Sequence, residues 1–372
     1  MALSTIQNNS LADTALHGYR NLVINGAMQV SQRNDVSNVT VSGSNYYEYH
    51  STDRWKTGLA NMDGLVFSCE QSTDAPAGLN FSRKYTIHTA KANAVDQYFD
   101  TWTRLERHSY SGVGIGTSAA KNLTLSFWVK SSETGQFAGI HLVYPTAGGA
   151  YSVNFTYTIN AANTWEYKTV LLPTSSLTAA SFYMAPSSDA GDYIAFHMNS
   201  GTDYDGGTGS TSSYKSYSGS DWAVGHQVDI TTVTNATWAI TGVQLEIGDM
   251  ATPFEHRLYA DELRRCERYY QQWTAGGTTP YLATGRNHSS TVSIMSLTYR
   301  TEMRGRPALY ISSASDIKVY DGNDRTCTGI VLNGNALNTC GFSVNGLSSG
   351  VGNNYVAQAY FMNGYFALDA EL

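Results

Sequence analysis

The sequence predicts a mainly β protein: a jelly-roll β-sandwich, a connecting helix and a smaller C-terminal β domain. Three observations carry this reading. Strict alternation runs through Leu123-Thr124-Leu125-Ser126-Phe127-Trp128-Val129, where Leu123, Leu125, Phe127 and Val129 share one face, and it returns in Val153–Ile159. That is the period of a half-buried strand. Only 14% of the 372 residues are charged, while glycine (34) and tyrosine (26) are abundant, a balance that favours strands and turns. A single segment, behind Thr252, spaces its apolar residues by four and three instead of two.

Residues 1–17 hold few apolar side chains and no periodicity, and read as a tail that orders only on contact. Strand character begins at Arg20-Asn21-Leu22-Val23-Ile24-Asn25-Gly26. A run from Trp165 to Leu171 stops before Pro173, a strand terminator. Near residue 240 the alternation changes phase: Trp238 and Ile240 share a face, then Val243, Leu245 and Ile247 continue after one extra step at Gly242. Such a slip is what a glycine-containing β-bulge produces. Strands at this spacing predict the two-sheet sandwich over 18–252.

The helical connector is placed at 253–273. Thr252-Pro253-Phe254-Glu255 has capping-box spacing with proline in the first helical position. Tyr259, Leu263, Cys266, Tyr270 and Trp273 then form one apolar stripe. Two uses of that stripe stay open: packing on the protein's own domains, or a self-association seam too short to act as an independent coiled coil. Residues 274–372 return to β patterning and form the C-terminal domain.

The formal charge of −7 argues against a nucleic-acid partner, since phosphate neutralisation needs clustered Lys and Arg. No run of 18 apolar residues occurs, so no membrane-inserted helix is expected. The first residues lack the basic and apolar regions of a secretory signal. The widely spaced Cys69, Cys266, Cys327 and Cys340 form no C-x-x-C pair and read as free thiols.

Enzyme signatures are missing. There is no G-x-S-x-G elbow and no phosphate loop, and Gly112-Val113-Gly114-Ile115-Gly116 lacks the dinucleotide spacing. The nine histidines show no H-E-x-x-H, so no metal and no cofactor is expected. Asp203/Asp205 and Asp321/Asp324 lie in short acidic patterns that read as turns, with calcium ligation as the sharper alternative. A catalytic pair of carboxylates is not selected by anything in the sequence.

What stands out is neutral-polar and aromatic. From Asn199 to Trp222 the chain is mostly Gly, Ser, Thr, Asp and Tyr, with Tyr204, Tyr214, Tyr217 and Trp222 set through it. Rings beside hydroxyl and carboxylate groups suit a glycan, whose apolar faces stack while its hydroxyls need polar partners. These four are the candidate glycan-binding residues. The alternative is a long sandwich loop whose rings pin it to the domain, Trp222 above all. Tyr46-Tyr47-Glu48-Tyr49-His50 raises the same two options, and its run toward Thr52-Asp53-Arg54-Trp55 favours the structural one.

Three segments resemble a family of phage virion proteins of marine and cyanobacterial phages, tail fibre or structural proteins. They are Arg20 to Arg33 with Thr52-Asp53-Arg54-Trp55; Leu123 to Ser131; and Thr241 to Gly248 running into Thr252 to Arg257 and Cys266-Glu267-Arg268-Tyr269-Tyr270. The ending Leu368-Asp369-Ala370-Glu371-Leu372 also looks like the family's. The resemblance implies a carbohydrate-binding-module-like jelly roll with a variable distal domain, in a homotrimer on the virion. It transfers no catalytic motif, and its motif residues read as fold determinants, with Asp53 and Arg54 expected to pair beside Trp55. Residues 1–17 leave room for a short anchor on other virion proteins.

The expected function is therefore a non-enzymatic adhesin: a short trimeric tail fibre or tip protein that binds host surface polysaccharide. Trimerisation would multiply weak sugar contacts through avidity. The alternatives are a capsid or tail decoration protein without a receptor, and a glycan depolymerase.

Overall fold

The computed structural model describes residues 20–33, 38–275, 281–348 and 355–371. The proposed anchor at 1–17 lies outside them. The chain divides into two compact units, Met1–Glu262 and Leu263–Leu372. Both are mainly β, as the alternation predicts.

The N-terminal unit is a sandwich of strands β1 (Val39–Thr40), β2 (Asn45–Tyr49), β3 (Lys56–Ala60), β4 (Val66–Ser72), β5 (Ser82–Thr89), β6 (Tyr98–Glu106) and β7 (Leu123–Ser131). It continues with β8 (Gly135–Val143), β9 (Tyr151–Ile159), β10 (Glu166–Leu172), β11 (Ala190–Ser200), β12 (Lys215–Ser216) and β13 (Thr237–Ile247). Among the described residues, one sheet has the order β1-β4-β5-β13-β7-β10 and the other β12-β9-β8-β11-β6-β3-β2. Every pairing is antiparallel.

Between the sheets lies an aromatic core in which Trp55, Phe67, Tyr85, Phe127, Phe196 and Trp238 are fully buried. The predicted faces appear here: Leu123, Leu125, Phe127 and Val129 all point into this core. Arg83 is buried beside it, and its guanidinium is satisfied by neutral acceptors: the His50 carbonyl, the Thr52 and Thr57 hydroxyls and the Tyr85 hydroxyl, at 2.6–2.9 Å.

The slip at Gly242 is a bulge. Between Thr241 and Gln244 the register against β7 shifts, and Gly242 takes a φ of 60°. The bulge also receives the first motif. Val243 donates to the Gly26 carbonyl at 2.9 Å, Leu22 donates to the Leu245 carbonyl, and the Asn21 amide bridges the Val243 carbonyl and the Leu245 N–H. A Cβ on Gly26 would meet the Val243 carbonyl oxygen at 2.0 Å, so only glycine fits that crossing.

Three expectations are corrected. The helix does not span 253–273: α1 (Thr202–Asp205) is a single turn in the polar loop, and α2 covers Tyr259–Glu267. Thr252 and Glu255 are not a capping box. Thr252 bonds through its N–H and hydroxyl to the Glu246 carboxylate, while Glu255 accepts from the Arg20 and Asn21 N–H groups at 2.9 and 3.0 Å. Thus Glu255 ties the third motif to the first. Asp53 and Arg54 do not pair with each other. Asp53 forms its ion pair with Arg33 at 3.8 Å, while Arg54, whose charge also favours the Asp53 carboxylate, donates to the Arg104 carbonyl.

The C-terminal unit begins inside α2. Tyr270 and Trp273, expected to extend the helical stripe, instead belong to the strand Tyr270–Thr274, which pairs with Tyr365–Asp369. The run Tyr-Gln-Gln-Trp-Thr has the aromatic and β-branched content that favours a strand once a partner is present. A second, seven-stranded antiparallel sheet includes Tyr281–Ser289, Val292–Thr298, Thr339–Asn345 and Val356–Phe361. Its core gathers Met295, Phe342, Phe361 and Phe366. Of the stripe, Cys266 and Tyr270 are buried, Trp273 packs edge-on against Phe366, and Tyr259 is exposed. Leu263 is half-buried. Cys69, Cys266, Cys327 and Cys340 are all buried, and they form no disulfide among the described residues.

Candidate functional site

The outer face of the sheet containing β6 and β11 carries large polar and aromatic side chains. Along β6 the inward residues Phe99 and Leu105 join the core, which leaves Tyr98, Asp100, Trp102 and Arg104 on the opposite face. Cross-strand pairing then builds rows. Tyr47 pairs with Gly58, Gly58 with Asp100 and Asp100 with His197. In the next row Tyr49 pairs with Lys56 and Lys56 with Trp102, and in the third Arg104 pairs with Tyr193. Trp102 and Tyr193 lie ring on ring at 4.4 Å and join Ile140, Leu142 and Ala195 in a small cluster separate from the main core.

The loop 201–229 folds onto this face. It is laced down by the Tyr217 N–H to the Ala150 carbonyl, Asn154 to the Asp221 carbonyl and Gln136 to the Gly225 carbonyl, at 2.7–2.9 Å. Trp222 lies at its centre. The indole N–H donates to Asp100 at 2.9 Å, and the ring meets Tyr98, Tyr193, His197 and Tyr217 within 5.3–6.2 Å. Tyr204 sits edge-on to Tyr98 at 4.8 Å, and the Tyr98 hydroxyl bonds to that of Tyr47.

Three of the four predicted residues therefore come together: Tyr204, Tyr217 and Trp222. Tyr214 does not. It packs against the main core, and its hydroxyl bonds to His141 Nδ1 at 2.6 Å in a buried cluster with Asp192 and Tyr110. The short strand β12 begins between Tyr214 and Tyr217, which explains the separation: Tyr214 enters at the sheet edge while Tyr217 joins the outer cluster. Sequence reasoning missed Tyr98, Trp102, Arg104 and Tyr193, and of the two options open for the run at 46–50, Tyr47 stands 44% exposed on this face. The signal was present in the alternation of β6, with rings and charges at every second residue.

Polar atoms without partners lie beneath these rings. Asp100 Oδ1 and Trp102 Nε1 are buried and make no hydrogen bond. Both crowd the bare Cα of Gly58, where a Cβ would lie 2.6 and 3.0 Å from them. Burial pushes the Asp100 carboxyl well above the ordinary carboxylate range, and only the Trp222 N–H pulls the other way. Burial likewise holds His197 well below its usual value.

On the other side of α1, Asn93, Val95, Thr202, Asp205, His226 and Asp229 line a cleft of about 370 Å³. Burial and then the neighbouring Asp229 push Asp205 upward. Asp203 is exposed, and no group of three His, Cys, Asp or Glu side chains gathers for a metal among the described residues. Asp321 is engaged by Arg325 at 3.2 Å and by Asn287 at 2.9 Å.

Neither a family model nor a curated protein matches the sequence. Among solved structures, the chain is similar to the enzymatically active domain of tailspike protein 4 of bacteriophage CBA120, at 13% identity over 62% of this chain, with a TM-score of 0.32. It spans about a fifth of that protein's length, 22%. It is also similar to the family 11 carbohydrate-binding module of a cellulosomal cellulase from Clostridium thermocellum, at 12% identity over 58% of this chain and 100% of that one, TM-score 0.28. A third similarity is to the carbohydrate-binding module TmCBM61 in complex with β-1,4-galactotriose, at 8% identity, covering 62% of this chain and 99% of that one, TM-score 0.29.

Proposed function

We propose that this chain is a non-enzymatic glycan-binding protein, an adhesin of a virion, and that its N-terminal unit meets the sugar on the outer face built by β2, β3, β6 and β11. The observation that supports this reading is the assembly of Tyr47, Tyr98, Trp102, Tyr193, Tyr204, Tyr217 and Trp222 on one sheet face, from strands and a loop far apart in sequence. Rings with polar atoms at their edges match the two-sided chemistry of a pyranose. The sequence resemblance to phage tail fibre and structural proteins supports the virion assignment, the host surface polysaccharide as receptor and a homotrimer that raises avidity.

The test is binding of the labelled full chain to permissive host cells, with free surface polysaccharide as competitor. Saturable binding abolished by the polysaccharide is expected, and Tyr47→Ala should weaken it about tenfold without lowering the melting temperature. Unchanged binding in Tyr47→Ala and in Tyr204→Ala would move the site off this face. Release of reducing ends during the incubation would replace the adhesin reading with a depolymerase.

A further inference from the structure

The cleft of about 370 Å³ beside α1 is walled by the segment before β6, the end of β11, α1 itself and the end of the loop 201–229. Among the described residues that line it there is no Lys or Arg, and there are two carboxylates. Asp229 is fixed: one oxygen accepts from the Ser200 N–H at 3.0 Å and the other from the Asn93 amide at 2.8 Å, while 25% of the side chain stays exposed. Asp205 is half-buried nearby, close enough that Asp229 adds to burial in pushing its carboxyl upward. His226 lines the same cleft, its side chain only 1% exposed. Its Nδ1 accepts from Ala138, which leaves the ring proton on Nε2, and Nε2 makes no hydrogen bond although Asp229 Oδ1 lies 3.7 Å away. Burial lowers this ring to about 4, so at neutral pH it carries no charge. The carboxylate it faces is left for whatever enters the cleft.

We propose that this cleft binds an amino sugar through its ammonium group, on a glycan that also crosses the aromatic face; the inference rests on the glycan-binding reading above. Two neighbouring carboxylates without a protein cation favour a ligand that brings positive charge. A primary ammonium has three donors and no acceptor, which suits a wall whose spare polar atoms are carboxylate oxygens. A metal ion suits it less: no group of three His, Cys, Asp or Glu gathers among the described residues, and both Asp229 oxygens already accept from neutral donors. The sugar ring finds an apolar lip, since Val95 is 58% exposed beside Ala94. A lysine side chain carries the same ammonium but no ring to lay on that lip. Asp96 and Asp203, exposed next to Val95 and Thr202, add negative potential that disfavours acidic glycans. The helical turn α1 joins the two places: Tyr204 meets Tyr98 on the aromatic face, while Thr202 and Asp205 line the cleft.

The test is calorimetric titration of the full chain with chitotriose, which carries an amine on every sugar, and with its fully N-acetylated form, at about pH 6.5, where amines are charged. Chitotriose should bind about tenfold more tightly, and Asp205→Asn and Asp229→Asn should each remove that preference. Glu302→Gln deletes an equal charge at an exposed position of the C-terminal unit and should leave the preference intact. If Asp229→Asn fails to fold, the half-buried Asp205→Asn decides. Equal affinity for the two trisaccharides, a preference kept in Asp205→Asn, or an equal loss in Glu302→Gln overturns the assignment. So does tighter binding of Nα-acetyl-lysine amide, which would point to a protein lysine, or displacement of chitotriose by about 5 mM CaCl2, which would point to a metal. Binding of host polysaccharide without any response to chitotriose sinks this inference and leaves the glycan-binding reading standing, whereas binding of neither trisaccharide nor host polysaccharide sinks both.

Discussion

The two seven-stranded sheets carry their aromatic residues in opposite ways. In the N-terminal unit the rings are fitted: Trp102 stacks on Tyr193, cations lie between them and their neighbours, and Trp222 is pinned through its N–H to Asp100. In the C-terminal unit Tyr281 and Tyr320 stand 60% and 42% exposed on the sheet. Ring number alone therefore does not mark a site in a chain with 26 tyrosines. What distinguishes the first sheet is that polar and charged atoms fix where each ring sits, and preorganisation of that kind lowers the entropy lost on binding.

The comparison breaks first if the fitted rings are energetically idle. Trp102→Ala removes a nearly buried indole from the cluster with Ile140, Leu142 and Tyr193. It should destabilise the protein by about 3–5 kcal/mol in urea unfolding. A loss under 1 kcal/mol would mean the cluster is not packed as described.

A finer cut compares the two sheets directly. Trp222→Phe keeps a ring but deletes the donor to Asp100, leaving both carboxyl oxygens of a buried side chain without partners. The expected cost is about 1–3 kcal/mol. Tyr320→Ala, on the exposed sheet, should stay within about 0.5 kcal/mol. Equal effects would erase the contrast between fitted and open rings.

The last effect is a slope. His226 accepts a hydrogen bond from the Ala138 N–H at 3.2 Å, and burial lowers it from 6.5 to about 4. Between those values the unfolded chain holds a proton that the folded chain lacks. The contribution of His226 is thus intact above pH 6.5 and is lost as the pH falls toward 4, at about 1.4 kcal/mol per pH unit. Asp100 and Asp192, raised by burial, act with the opposite sign, so the informative quantity is a difference. His226→Asn, which retains an acceptor for Ala138, should show a slope shallower by about that amount across pH 4 to 6.5. Identical slopes would mean that His226 is protonated in the folded protein.

Much of the sandwich was legible because its determinants are local. The alternation at Leu123–Val129 and the single phase slip at Gly242 can be read within a dozen residues, and both appear in the structure. The helix was over-extended because spacings of four and three also fit Tyr270 and Trp273, whose side chains are claimed by a strand partner about 95 residues later, Tyr365–Asp369. The candidate site was half legible for the same reason. A polar loop studded with rings announces Tyr204, Tyr217 and Trp222, but not the pairing of β6 with β11 that supplies Trp102 and Tyr193. Nor does local sequence say that Tyr214 turns toward His141.

The crossing of Gly26 over Val243 has a consequence for synthesis. The bond from the Asn21 side chain to the Val243 carbonyl joins residues 222 positions apart. At a translation rate of about 5–20 residues per second, the segment that leaves the ribosome first waits roughly 10–45 s for the strand that receives it. Throughout that interval the motif can meet only its nearer partners, the Asp53 N–H on the Val30 carbonyl and the Gln71 amide on the Met28 carbonyl. The crossing over Val243 therefore closes only once β13 has been made, and the opening motif stays half-docked until then.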